Sequence, residues 1–372
     1  NEIFTHNSCL SCQDVPKKAS RVTLMSISIL PVSLLATLNR LWNDPFLRKS
    51  GVYFVGSMMV AVLNYLYYPV LGRRLALQEF GDVQALLSLF VQIATILGGF
   101  TLATVHVSAN CDVAGECQAL IRILRRYAFY TAAIFIVGLL ILAPWVSGSL
   151  HFFFFFLLFL LPILFLVNIF YTLQTGYLQG KGGFGSVAIG NLLVAAGRLV
   201  FALGLIWLGW QAFGVIAGLV IAYGIALVYV YTRLHEPVSP AVEAFVVSRE
   251  RLRDELKYVA LVVCSSFLVT ALYLSDVLVV KRFFPPLAAG VYSGISTVAN
   301  IAFFVTGPIG AVFLASLKRS DVVEVRRQAF FKAFGLIFLL GGGMVGFFLF
   351  SPHFLINVLM GDRYLAYAHL LP

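Results

Sequence analysis

Residues 187–208 read VAIGNLLVAAGRLVFALGLIWL, an apolar run broken by one charge, Arg198. As a helix rising 1.5 Å per residue, this run is about 33 Å long, enough to cross a hydrocarbon core of ~30 Å. Eight more runs of similar character lie at 51–71, 84–107, 127–147, 152–173, 212–231, 258–280, 288–316 and 330–350, and a tenth opens near Tyr364. Composition agrees: 60% of the 372 residues are apolar and only 11% charged, with mean hydropathy +0.94. A soluble domain carries ~45–50% and ~25%. These values exclude a water-soluble enzyme, a disordered tail and a coiled coil, and predict an all-α integral membrane protein.

The net charge of +10 then reports topology and not nucleic acid, because cytoplasmic loops retain Lys and Arg. With the segment before residue 51 inside, twenty of the 26 Lys and Arg fall on the inner side and five on the outer, and Arg198 lies within a span. This parity predicts a multi-pass membrane protein with a cytoplasmic N-terminus. The segment 1–50 is separate. Its apolar stretch 22–38 reads as a signal-like, amphipathic or re-entrant entry segment, and residues 1–24, which precede Met25, are expected to be partly non-native. His6, Cys9 and Cys12 lack a fourth ligand nearby, so no metal site is expected.

Internal similarity follows one offset. Ala143-Pro144-Trp145-Val146 corresponds to Ser351-Pro352-His353-Phe354 at 208 residues. Phe80-Gly81-Asp82-Val83 corresponds to Ala289-Gly290-Val291-Tyr292 at 209, and Leu160-Leu161-Pro162 to Leu370-Leu371-Pro372 at 210. The pattern predicts two six-helix halves as parallel repeats. The first is a bundle over 51–231, followed by a cytoplasmic linker over 232–257. The second bundle, 258–372, is expected to be incomplete, with about nine full transmembrane helices and the start of a tenth in the whole chain.

Arg48-Lys49-Ser50-Gly51, Leu71-Gly72-Arg73-Arg74 with Glu79-Phe80-Gly81, Leu178-Gln179-Gly180-Lys181-Gly182-Gly183-Phe184, and Asp276 with Ala289-Gly290-Val291-Tyr292 resemble the polysaccharide and O-antigen flippases. These belong to the multidrug/oligosaccharidyl-lipid/polysaccharide exporter superfamily, and the resemblance covers roughly 48–372. It implies a MATE-like fold of two six-helix bundles around a central cavity. It also implies export of an undecaprenyl-diphosphate-linked oligosaccharide across the bacterial inner membrane by alternating access, with membrane lipids and glycan polymerases as partners.

Arg198 lies about 16 Å deep, where a charge is costly and faces a wet cavity or a partner. Two readings stand: a guanidinium that grips the diphosphate or acidic sugars of a substrate, or one neutralised by a helix carbonyl or acid. Asn64, Asn168, Asn191 and Asn300 either line a cavity for sugar hydroxyls or join helices. Asp276 is read as the acid within a span, either coupling transport to a proton or sodium ion or paired locally with Lys281 and Arg282. Arg73, Arg74, Lys281 and Arg282 occupy equivalent outer turns, as mouth residues that attract anions or as topological anchors. His106 is read as solvated, the glycine turn around Lys181 as a tight turn without the order of a phosphate loop, Phe152–Phe156 as lipid-facing bulk, and Gly341–Gly343 as close helix packing. No cofactor is expected beyond a coupling ion.

A lipid-linked oligosaccharide flippase therefore leads. An efflux transporter of the same superfamily, for drugs or another lipid, would want buried carboxylates in the first bundle. A membrane glycan polymerase or glycosyltransferase would want a large outer loop bearing acids or arginines. The sequence supplies neither, and a central charge argues mildly against an inert scaffold.

Overall fold

The computed structural model describes residues 45–110, 114–150, 157–234, 249–301 and 323–371. The chain divides into two compact units, Asn1–Arg48 and Lys49–Pro372, and of the first only the opening turn of a helix is described. The segment 22–38, the His6, Cys9 and Cys12 group, and Phe152–Phe156 lie outside the described residues.

Every element described is helical, as lipid demands of a backbone that must satisfy its own polar groups. In order these are α1 (Pro45–Arg74), α2 (Leu77–Asn110), α3 (Ala114–Leu150), α4 (Leu157–Gly180), α5 (Phe184–Trp207), α6 (Gln211–Thr232), α7 (Arg249–Phe283), α8 (Pro286–Ala299), α9 (Val323–Phe350) and α10 (Pro352–Met360), ending in a 3-10 run, Asp362–Leu370. Each expected apolar run overlaps one of α1–α9. Among the described residues seven helices are long and apolar enough to cross a membrane: Leu77–Ala109, Cys117–Leu150, Leu157–Gly180, Phe184–Trp207, Gln211–Thr232, Leu252–Phe283 and Phe330–Phe350.

Three expectations are corrected. The third apolar run, expected to close at 147 just after Pro144, continues as helix: α3 runs through Pro144 to Leu150, because a transmembrane helix can accommodate a proline whose freed carbonyl finds another partner. Its counterpart Pro352 instead opens a new helix, α10, after a break at Ser351, using proline's fitness for a first turn, where no amide donor is needed. The stretch at Tyr364 is a tight 3-10 run and not the opening of an α-helical span. Gly341–Gly343 do not sit in a close contact with any described residue either, since a Cβ at any of the three would meet none of them within 4 Å.

Close packing occurs elsewhere. α5 lies along α6, with Gly218 so near the partner helix that a Cβ there would stand 2.7 Å from the Ala202 nitrogen. Small residues substitute here for a hydrophobic driving force that lipid does not supply. α2 is the central post, packed against α4, α7 and α8. Its start meets the start of α8 at Gly81, where a Cβ would lie 2.9 Å from the Gly290 Cα. Ile134, Ile141 and Trp145 on α3 and Leu272 on α7 stay exposed, as suits lipid-facing surface.

Candidate functional site

A cavity of about 250 Å³ opens among α1, α2, α5, α7 and α8. Its walls are Asn64 and Tyr68 from α1, Gln84, Leu87, Ser88 and Val91 from α2, Arg198 from α5, Tyr273 and Leu274 from α7, and Thr297 with Asn300 from α8 and its end. Arg198 is the one charged residue among these. Its Nη2 donates to the Asn64 carbonyl oxygen at 3.0 Å, and its guanidinium lies 4.2 Å from the Tyr67 ring centroid and 5.8 Å from that of Tyr68. Such stacking is worth ~2 kcal/mol when desolvated. Its buried Nε has no hydrogen-bond partner among the described residues. The helix carbonyl and the cavity were alternatives in the sequence; in the structure one arginine has both, held by the first while lining the second.

The four asparagines separate. Asn64 and Asn300 line the cavity. Asn168 is buried, at 2% exposure, and Asn191 accepts a hydrogen bond from the Tyr171 hydroxyl at 2.7 Å, joining α4 to α5. Neither Asn168 nor Asn191 belongs to the cavity wall. Gln84, Ser88, Tyr68, Tyr273 and Thr297 do, and sequence reasoning missed them. Gln84 Nε2 donates to Thr297 Oγ1 at 2.8 Å, which ties α2 to α8 across the cavity.

Asp276 is not paired with Lys281 or Arg282. Its Oδ2 accepts from the Tyr292 hydroxyl and the Ser296 hydroxyl, both at 3.0 Å, while its buried Oδ1 has no partner among the described residues. Lys281 instead forms an ion pair with Asp82 on α2, and both side chains are 1% exposed. Lys281 is therefore no mouth residue that meets solvent, and Asp82 is an acid inside a helix, contrary to the expectation that Asp276 alone is one. Arg73 donates to the Asn357 carbonyl at 3.2 Å and also to that of Val358, near the C-terminus of α10. Arg282 donates to the Ser149 carbonyl at 2.9 Å near the C-terminus of α3. A cation in the last turn suits the carbonyl-rich end of a helix. Arg74 remains exposed. At the opposite end of α2, His106 is not merely solvated: its Nδ1 lies 3.4 Å from Glu255 of α7, and its ring lies against Tyr258.

The model of the polysaccharide biosynthesis protein family matches residues 46–314, nearly three quarters of the chain. The chain belongs to this family. Its matched region contains α1 through α8 and so every residue of the cavity wall. No curated protein matches the polysaccharide biosynthesis chain, but solved structures share its fold. A MATE-family multidrug resistance transporter in an inward-facing conformation is 16% identical, with TM-score 0.64, over 86% of this chain and 78% of that one. A transporter of the same superfamily from Pyrococcus furiosus, described as having a binding pocket of reverse polarity, is 17% identical with TM-score 0.55 over 88% and 78%. A MATE transporter in its straight conformation is 17% identical with TM-score 0.54 over 89% and 79%. The chain is a multi-pass membrane protein with a MATE-like fold.

Proposed function

We propose that the chain is a flippase that carries an undecaprenyl-diphosphate-linked oligosaccharide across the bacterial inner membrane by alternating access, with its N-terminus in the cytoplasm. One observation carries the reading: the cavity presents a single guanidinium ringed by neutral donors and acceptors. A diphosphate needs concentrated positive charge, sugar hydroxyls need amides, hydroxyls and phenols, and a drug cation would need a carboxylate, which is not found among the described residues of the wall. Two parallel halves are supported by the cavity itself, because Asn64 and Tyr273, Ser88 and Thr297, and Val91 and Asn300 are pairs of wall residues 209 positions apart. Gly81 and Gly290, in mutual contact, share that offset. The gene, expressed at full length in a strain lacking its polysaccharide flippase, is expected to restore surface glycan. Good membrane expression without surface glycan would refute this substrate.

Coupling is assigned to Asp276, on the ground that one carboxylate oxygen is satisfied by two hydroxyls and the other is buried and bare. A proton or sodium ion would meet that second oxygen. Asp276→Asn keeps the shape and removes the charge, so glycan export should fall at least tenfold at equal membrane abundance. Unchanged export would leave Asp276 a helix-joining acid.

A further inference from the structure

A second cavity, of about 370 Å³, lies at the opposite end of α5 from Trp207, bounded by Tyr177 and Leu178 of α4, Lys181 and Gly183 of the turn, Ser186 of α5, and Arg233 with Leu234 after α6. We propose that this cavity binds a phosphate oxyanion, and that its physiological source is the headgroup of an anionic membrane lipid. Two cations converge there from separate helix ends. Lys181 Nζ stands 6.0 Å from the Tyr177 ring centroid, and the Arg233 guanidinium 5.2 Å from that of Tyr229, so each is steered by an aromatic face. Among the described residues neither has a carboxylate within ion-pair distance, and none of those lining the cavity is an acid.

The turn adds to the same field. Gly183 leads into the 24-residue α5 with no side-chain cap among the described residues, and the positive end of that helix lies in the same cavity wall as Lys181 and Arg233. Ser186 supplies a hydroxyl in the wall. A free phosphate would satisfy these groups, but the surroundings favour a lipid. Val228 and Tyr231, five and two residues before Arg233 on α6, and Ile189, three residues after Ser186 on α5, are exposed on helices able to cross a membrane. Apolar surface next to a basic cavity at a helix end is the arrangement that holds a headgroup with its acyl chains alongside. This site is separate from the Arg198 cavity and does not depend on the flippase reading.

The test is native mass spectrometry of the full chain released from detergent and titrated with phosphatidylglycerol, with phosphatidylcholine and excess inorganic phosphate as the other arms. The wild type should retain phosphatidylglycerol, and Lys181→Gln combined with Arg233→Gln should weaken retention about thirtyfold. Lys181→Arg with Arg233→Lys should retain it, as should Arg125→Gln with Arg126→Gln, a control that removes the same charge elsewhere on that side. Retention resistant to inorganic phosphate assigns the site to lipid. Displacement by phosphate, lost in the Gln pair, assigns it to the free anion. Equal retention by the wild type and the Gln pair, or equal retention of phosphatidylcholine and phosphatidylglycerol by the wild type, overturns the proposal. Circular dichroism of the Gln pair should match wild type, since both side chains are exposed.

Discussion

Arg198→Ala should abolish restoration of surface glycan while the protein still reaches the membrane. Among the described residues the cavity wall holds no second charge, so this change removes the group that would meet the anionic part of a lipid diphosphate. A hydrogen bond to a charged group contributes ~1.5–3 kcal/mol, and losing two would lower affinity by about a hundredfold or more. The side chain also has a structural contact, its bond to the Asn64 carbonyl and its place over Tyr67. The export assay is therefore read per unit of folded protein. Arg198→Lys separates the two roles further. Lysine restores the charge but has no planar fork to hold the Asn64 carbonyl, lie on the tyrosine and offer a second edge to phosphate at once. Partial export by the Lys variant is expected from charge alone, and export close to wild type would show that bidentate geometry is dispensable. Normal export by the Ala variant would reduce Arg198 to a staple between α5 and α1.

Arg198 was legible because one charge among apolar residues needs no alignment to be noticed. The asparagines were not, for a physical reason. A helix inside a membrane protein is apolar on nearly all sides, so its sequence does not say which face meets a cavity, a neighbour or lipid. Asn64 and Asn300 face the cavity, whereas Asn191 serves Tyr171, and nothing local distinguishes them. Hydropathy likewise marks where lipid touches a helix, not where the helix ends. α7 begins nine residues before its apolar run, and this polar turn contains Glu255, the partner of His106. The same error hid Asp82. It precedes the apolar run that opens at 84 and follows a glycine, so it passes for a loop acid, yet α2 begins at Leu77. The offset of 209 that relates the turns also relates the walls, Asn64 to Tyr273 and Ser88 to Thr297.

Asp82→Ala should be the most destabilising single change outside the cavity. Asp82 at the start of α2 and Lys281 at the end of α7 are 199 positions apart in sequence and both 1% exposed. Removing one partner of such a pair strands a buried charge, at a cost of ~3–5 kcal/mol. Replacing both with apolar residues of similar volume, Asp82→Leu with Lys281→Met, removes charge and penalty together and should return stability to within ~1–2 kcal/mol of wild type. Urea unfolding of the purified protein in detergent, run as a double-mutant cycle, reads the coupling directly. Near-additive losses in the double variant would mean that the two groups do not depend on each other. Export adds a second readout. Lys281 adjoins Arg282, whose bond to Ser149 ties the end of α7 to the end of α3, while Arg73 ties the end of α1 to α10. All these contacts lie at one end of the helices, where Gly81 and Gly290 also touch. An alternating-access cycle has to part this end once per turnover. A pair that is costly to break and cheap to replace should therefore set the balance between closed and open states. The apolar double variant, folded but without the charge pair, should accumulate with this end open. Faster alkylation of a cysteine introduced at Ser293 would detect that state, because Ser293 is buried at 1% exposure beneath the contact. Alkylation as slow as in the parent cysteine variant would show that packing at the glycines, and not the ion pair, keeps the end closed.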